Sequence, residues 1–222
     1  MAKTKWATLR ARRVLDGGLT QLVFAPDEAM DWVAGNYLIV RTTLPNPAKP
    51  GDVHRRAYSL AALPDADGGF ELLIQSVGER SAWMSELREG ARLEYSGPWG
   101  KFFKAQATDP WERVCLVATG SGISPIQAMA QARVAGGQAA ATQLWWRSEG
   151  LGLSLESLRA DGLSVVEGEQ VCEQVPADPK ALYFLAGDGA ALIPLCARLQ
   201  AAGVPSEQLR VEYFFNRPPK EA

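Results

Sequence analysis

Along the first hundred residues apolar and polar positions alternate with a period of two. Over residues 6–14, Ala7, Leu9 and Ala11 fall on one face of an extended chain and Thr8, Arg10 and Arg12 on the other, as in a half-buried strand. Asp16-Gly17-Gly18 signals a turn, and residues 19–24 read as the returning strand. Residues 36–43, 56–60, 70–77 and 91–95 are further short strand segments, separated by turn-rich stretches such as 64–69. One helix is predicted among them over 81–87, closed by Gly90. Strands this short and this closely spaced predict an antiparallel β-barrel.

The pattern changes after residue 105. Apolar runs at 114–118, 142–146, 163–166, 182–186 and 209–214 alternate with helical stretches at 126–134, 155–159 and 193–202. Strand–helix alternation predicts βαβ units on a parallel sheet. The expected organisation is therefore an N-terminal antiparallel β-barrel domain over 1–105 and a parallel-sheet α/β domain over 106–222, joined near Asp109-Pro110.

Composition narrows the function classes. The chain has 222 residues, 47% of them hydrophobic, enough to bury a real core. Its 23 basic and 25 acidic residues nearly cancel, which argues against nucleic-acid binding. Cys115, Cys172 and Cys196 lie in no Cys-x-x-Cys spacing, so this sequence cannot supply four thiolates to an iron–sulfur cluster, and with one histidine, His54, no structural zinc site is expected. The first residues show no signal-peptide pattern and no apolar run reaches membrane-spanning length, so a cytoplasmic protein is expected. His54, beside Arg55 and Arg56, reads as solvated, and the tryptophans at 83, 99, 145 and 146 as packing. The basic run Lys3, Lys5, Arg10, Arg12 and Arg13 reads either as a solvated strand face or as a docking surface for an acidic partner.

Five segments carry candidate chemistry. In Arg56-Ala57-Tyr58-Ser59 an arginine can fork onto a phosphate, a tyrosine ring can stack on a planar heterocycle, and a serine can hydrogen-bond a ring nitrogen. The same tetrapeptide also describes an ordinary surface strand. In Gly78-Glu79-Arg80-Ser81-Ala82, Ser81 stands where it would cap a helix, whose N-terminus attracts anions. Gly97-Pro98-Trp99-Gly100 reads as a tight bend leaving the barrel. Thr119-Gly120-Ser121-Gly122-Ile123-Ser124-Pro125 follows an apolar strand directly, the context of a pyrophosphate cradle, with Ser124 expected as cap and Pro125 as first helical residue. It lacks the third glycine of the GxGxxG dinucleotide motif. Last, Ala186-Gly187-Asp188 ends a second strand in the same manner.

In this order and spacing, over about residues 6–215, these segments resemble the ferredoxin–NADP reductase superfamily. The resemblance implies an FAD-binding barrel and a nicotinamide-binding α/β domain. Arg56 would then bind the flavin pyrophosphate, with Ala57 beside it. Tyr58 would stack on the isoalloxazine, and Ser59 would hydrogen-bond near its reactive nitrogen. Gly78, Arg80, Ser81 and Ala82 would close on the same pyrophosphate. Thr119, Gly120, Ser121, Gly122 and Pro125 match the family's Gly-Thr/Ser-Gly-x-x-Pro element for NADP or NAD, and Arg147 would meet either a ribose 2′-phosphate or the pyrophosphate. Residues 34–37 match its Pro-Gly-Gln-aromatic strand start with two substitutions. Glu212 and Phe214 match its Glu-x-Phe close to the nicotinamide. Where the family often has Cys-Gly near the hydride-transfer site, this chain has Ala186-Gly187, followed by Asp188. Ser59 and Glu212 are the residues expected nearest the chemistry. The implied activity is an NAD(P)H-dependent flavin reductase whose electrons leave to a separate acceptor protein of ferredoxin or flavodoxin type. The alternatives are an electron-transfer subunit of a larger complex, or a reductase of small acceptors such as free flavin, quinones or ferric chelates.

Overall fold

A computed structural model describes residues 3–100, 102 and 113–218. The expected domain junction at 105/106 lies outside the described residues. In chain order the N-terminal elements are β1 (Lys5–Val14), a 3-10 turn (Asp16–Gly18), β2 (Leu19–Pro26), β3 (Tyr37–Pro45), β4 (Val53–Ser59), β5 (Phe70–Gln75), α1 (Glu79–Ser85) and β6 (Arg92–Trp99). They form one antiparallel sheet in the order β4-β3-β6-β1-β2-β5. A bridge between Leu60 and Leu72 joins its two edges, so the sheet curls toward closure. Phe24, Phe70 and Tyr95 fill the interior with Leu9, Leu22, Leu38, Leu60 and Leu72.

Two local expectations change. Ala7 and Leu9 are buried as alternation demands, but Ala11 is exposed. The register against β2 slips between Leu9 and Ala11, and the extra residue of that bulge turns the rest of the strand outward. Gly97-Pro98-Trp99 does not leave the sheet but continues β6. A second register shift, where Tyr37 faces Trp99 and Ile39 faces Ser96, absorbs the irregular backbone within the strand.

The second half contributes β7 (Arg113–Thr119), α2 (Ile123–Ala135), β8 (Thr142–Arg147), α3 (Glu156–Ala160), β9 (Ser164–Glu167), α4 (Val171–Gln174), β10 (Ala181–Asp188), α5 (Gly189–Ala201) and β11 (Leu209–Phe215). All pairings are parallel, in the order β11-β10-β7-β8-β9. The central strands are buried on both faces, hence their unbroken apolar sequence. Cys115, Val117, Tyr183 and Leu185 face Leu192, Leu195 and Leu199 of α5. Leu116, Ala118, Phe184 and Ala186 face the opposite way, toward α2.

That second face carries more than a helix. Leu19 and Leu73 of the antiparallel sheet, with Ala34 before β3 and Ala61 after β4, belong to the same core as Leu116, Ile126, Met129 and Phe184. Helix α2 is enclosed from Ile123 to Ala130 and shows no polar stripe, as expected of a helix covered on every side. The Gln131 side chain accepts the Leu63 N–H at 2.9 Å across the seam. At one end of it the β1–β2 turn meets residues 150–152, and Gly152 N–H donates to the Asp16 carbonyl at 2.9 Å. A Cβ on Gly17 would overlap the Gly150 carbonyl, whereas a Cβ on Gly18 would meet nothing within 4 Å.

Both of these glycines have positive φ, 72° and 78°. Gly18→Ala therefore carries only left-handed backbone strain, about 1–2 kcal/mol. Gly17→Ala adds overpacking of the seam, a further ~1–3 kcal/mol. Equilibrium denaturation should rank the wild type above Gly18→Ala and Gly18→Ala above Gly17→Ala, and equal losses for the two variants would mean that the seam tolerates the methyl group.

Candidate functional site: a cleft where the two sheets meet

A cleft of about 700 Å³ opens between the outer end of the antiparallel sheet and the carboxyl ends of the parallel strands. Of the residues singled out by sequence, Arg56, Ala57, Tyr58, Ser59, Gly78, Arg80, Ser81, Thr119, Gly120, Ser121, Asp188, Glu212 and Phe214 all line it. Ala82, Gly122, Pro125, Arg147, Ala186 and Gly187 do not form its wall.

Strand β4 is an edge strand, which leaves its residues open to a ligand. Tyr58 is half-buried over the core of the antiparallel sheet, and its O–H donates to the Arg80 carbonyl at 3.4 Å. Burial pushes its pKa up to about 12, against the pull of Arg56 and Arg80, so the phenol stays neutral. Among the described residues neither Arg56 nor Arg80 forms an ion pair, so two cations at the cleft lack an anion. The loop before α1 differs from expectation. The cap is Gly78, and Ser81 sits in the first turn with its hydroxyl turned back. Ser81 Oγ accepts the N–H groups of Val77 and Gly78 at 3.0 and 3.1 Å and donates to the Gly78 carbonyl at 2.9 Å. Ser81 thus stiffens the loop.

On the opposite wall β7 and β10 end side by side. Thr119 Oγ1 accepts the Asp188 N–H at 2.8 Å and ties the two strand ends together. Gly187 runs so close to Thr119 that a Cβ would overlap Thr119 Oγ1. The turn Gly120–Gly122 enters α2 without a break, so α2 begins at Ile123 with Gly122 as cap. Ser124 and Pro125 are therefore the second and third helical residues. Ser124 Oγ donates to the Ser121 carbonyl at 3.0 Å instead of capping. Proline is tolerated there because the first-turn N–H groups have no helical acceptor. Gly122 and Ala186 serve packing: a Cβ on Gly122 would overlap the Ala186 carbonyl. The Gly120 carbonyl is held by Trp146 Nε1 at 3.1 Å.

The rim also carries residues that the motifs did not announce. Glu149, Gln75, Asn216 and Arg217 line the cleft. The chain after β11 crosses back over α5, where a Cβ on Gly189 would overlap the Asn216 carbonyl. Asn216 Nδ2 donates to Asp188 Oδ1 at 2.8 Å. Glu212 lies beside Ala186 in the β10–β11 register, and its Oε2 is buried with no hydrogen-bond partner among the described residues. Burial raises its pKa above the usual carboxylate range, with Arg217 opposing.

The N-terminal basic run is partly paired. Lys3 pairs with Glu28 at 2.8 Å, Arg10 with Asp67 at 3.4 Å, and Arg12 Nε donates to the Ser85 carbonyl at 2.8 Å. Two of the five charges are thus balanced by carboxylates, while Lys5, Arg12 and Arg13 form no ion pair among the described residues.

A cleft of this size suits a dinucleotide. Unpaired cations and a tyrosine face stand on one wall, glycine-rich strand ends and an orphaned carboxyl oxygen on the other. The residues present therefore fit a bound flavin dinucleotide beside a nicotinamide nucleotide.

Residues 18–103 match the family described as "Oxidoreductase FAD-binding domain". A curated relative, ferredoxin–NADP reductase B of Sorangium cellulosum, is 36% identical over 145 residues, 63% of this chain and 55% of the relative. The chain thus spans little more than half the length of that relative. Among solved structures, the FAD/NAD-binding domain of nitric oxide dioxygenase from Vibrio cholerae superposes with a TM-score of 0.79 at 17% identity, covering 95% of this chain and 98% of that one. The ferredoxin NADP+ reductase of Neisseria gonorrhoeae, with FAD and NADP bound, gives 0.74 at 14% identity over 96% and 99%. At these identities the structural likeness is one of fold.

Glu212 offers a direct check on the electrostatics. Its carboxyl pKa is raised in the folded state, so its cost to stability is absent below the unfolded-state value, grows as pH rises from that value toward the folded one, and is constant above both. Relative to its own value well below pH 4.5, the thermal midpoint of Glu212→Gln should gain on the wild type as pH rises past the ordinary glutamate range, the gain levelling off once the folded carboxyl ionises. A difference independent of pH would mean that the carboxylate is solvated.

Proposed function

We propose that this chain, a member of the ferredoxin–NADP reductase superfamily, is an NAD(P)H-dependent FAD reductase that delivers electrons to a separate acceptor protein of ferredoxin type. The observation that carries this reading is the single cleft shared by the Arg56–Ser59 strand and the glycine-bearing ends of β7 and β10. Bound FAD would supply the electron chemistry, taking a hydride equivalent from reduced nicotinamide and releasing electrons one or two at a time.

The protein's part is position and field. Arg56 and Arg80 hold the pyrophosphate by charge-assisted hydrogen bonds. Tyr58 offers a neutral ring for stacking, and Ser59 a hydroxyl beside it. The Gly120–Gly122 turn lets a phosphate approach the backbone and the start of α2. Phe214 and Glu212 flank the space left for the nicotinamide. A buried carboxylate there favours the positive charge that a nicotinamide ring acquires as it gives up hydride. Where the family often has a cysteine, Ala186 is buried in the sheet and presents no polar group to the cleft.

The ferredoxin-type acceptor rests on the relatives' names. Lys5, Arg12 and Arg13, without carboxylate partners among the described residues, leave a basic field on that face, so reduction of an acidic acceptor docking there should slow as salt rises. A rate unchanged from low to high salt would mean that this face does not dock the acceptor.

The purified protein should take up FAD and show a flavin absorption band, and anaerobic NADH or NADPH should bleach it within seconds. Arg56→Ala should bind FAD about tenfold or more weakly, the loss of a charge-assisted hydrogen bond. A protein that takes up no FAD, or a flavin band bleached by neither nucleotide, would overturn the reductase reading.

A further inference from the structure

The loop after β8 holds a carboxylate against the glycine turn that follows β7. The side of Gly120 that lacks a side chain faces it: a Cβ there would lie 2.7 Å from Glu149 Oε2 and 3.5 Å from Gln75 Oε1. Both of these side chains line the larger cleft. Gly120 has a φ of 51°, left-handed backbone in which glycine is favoured. The flank by which a phosphate would approach this turn is therefore filled by an acid.

The backbone is strained to put that acid there. The Leu151 N–H donates to the Ser148 carbonyl at 3.0 Å, closing a four-residue turn over 148–151. Its central residues, Glu149 and Gly150, have φ of 55° and 78°. Glycine, asparagine and aspartate suit such positions, and glutamate does not. Among the described residues Glu149 and Asn216 are the non-glycine residues with positive φ, and both line the larger cleft. The turn is held from outside. Leu151 is buried in the seam, the Gly150 carbonyl lies against Gly17, and Gly152 N–H donates to the Asp16 carbonyl at 2.9 Å. Strain of this kind persists where the surroundings over-determine the conformation, and it concentrates at functional sites.

We propose that Glu149 gates the nucleotide turn: its carboxylate stands where a phosphate of the nucleotide must pass or settle beside Gly120, and its negative charge weakens binding until it is protonated or turned aside. The inference rests on the reading of the larger cleft as the site of flavin and nicotinamide. Arg147 Nε, at the end of β8, is 3.8 Å from Glu149 Oε1, beyond hydrogen-bond range, and 3.5 Å from Glu169 Oε2. Burial raises the Glu149 pKa above the ordinary glutamate value against the pull of Arg147, and Asp188 at the end of β10 and Glu169 after β9 add to the rise. Asp16 is the acid of the β1–β2 turn packed on this loop, Gln75 on β5 is neutral, and Arg56, Glu79, Arg80, Glu212 and Arg217 line the rest of the cleft. Phosphate prefers the neutral carboxyl. Nucleotide affinity is therefore highest where Glu149 is protonated in the free protein, falls as pH rises through its raised range, and levels once the group is ionised in the complex as well. Glu212 also titrates above the ordinary range, so the difference between the wild type and a Glu149 variant isolates this group.

The test is a calorimetric titration of the oxidised, FAD-loaded protein with NAD+ and with NADP+, which reads binding and not turnover. Near neutral pH, Glu149→Gln should bind whichever nucleotide the protein takes about tenfold more tightly than the wild type does. The gap should close toward acid pH, as the wild-type carboxyl takes up its proton. The Glu149 side chain is 33% exposed and glutamine keeps its shape, so the fold should hold. Glu149→Asn, neutral and suited to left-handed backbone, is the second variant. Equal affinities in wild type and variants would overturn the gate. A gap that does not change with pH would also overturn it, since the effect would then be steric. Weaker binding by the variants would overturn it by making Glu149 a hydrogen-bond acceptor for the nucleotide. Absence of binding to all three proteins, while NADH or NADPH still bleaches the flavin, would overturn the gate and leave the reductase reading standing. Absence of binding together with no bleaching would overturn both.

Discussion

The apolar seam between the two sheets is the constraint on which the cleft depends. Leu19, Ala34, Ala61 and Leu73 on one side share a core with Leu116, Ile126, Met129 and Phe184 on the other. Burying a side chain of this kind is worth roughly 1.5–3 kcal/mol, so the seam is a structural core rather than a contact between independently mobile bodies. It aims the edge strand β4 at the carboxyl ends of β7 and β10. Ligand stacking and hydride transfer need ring separations near 3–3.5 Å, and only a rigid seam can set that spacing from two different sheets.

The glycines serve the same end by close approach. Gly17 lets the β1–β2 turn sit on the Gly150 carbonyl, Gly122 lets α2 lie against β10, and Gly189 lets the C-terminal chain cross over α5. Each brings backbone to backbone where a side chain would have held the elements apart. The hydrogen bond from Asp188 N–H to Thr119 Oγ1 then fixes the β7 and β10 ends relative to each other. Two strand ends held side by side, with their turns open, form the wall that a phosphate chain can follow.

What the sequence made legible is what is local. The strand Val114–Ala118 running into Gly120-Ser121-Gly122, and the alternation that named Tyr58 and Arg56, are written in neighbouring residues, and all four motif residues Arg56, Tyr58, Gly120 and Ser121 line the cleft. What it concealed is set by chains that meet from far apart. The bulge after Leu9 turned Ala11 outward, because register against β2 is a property of two strands. Ser81 and Ser124 have the right type for caps, but the helices begin two and one residues before them, and both hydroxyls turn to nearby backbone. Glu149, Asn216 and Arg217 carried no motif; they reach the cleft because a loop after β8 and the tail after β11 converge there. An acidic residue just past a strand end, Glu149 after β8, was the available signal, and only the spatial order of the strands gives it meaning.

That order gives the cleft an electrostatic direction. Arg56 and Arg80, unpaired among the described residues, outnumber Glu79 on the wall built by the antiparallel sheet, while Glu149, Asp188 and Glu212 outnumber Arg217 on the wall built by the parallel one. In a partly closed space such a gradient persists where exposed ion pairs would be screened. It accommodates phosphate charge at the cationic wall and a ring that turns cationic on oxidation at the acidic wall. The unpaired buried oxygen of Glu212 costs stability, and a partial positive charge brought beside it would offset that cost. In the proposed reaction the ionised form of the same group would favour the oxidised nicotinamide over the reduced one and so bias electron flow from the nucleotide toward the flavin.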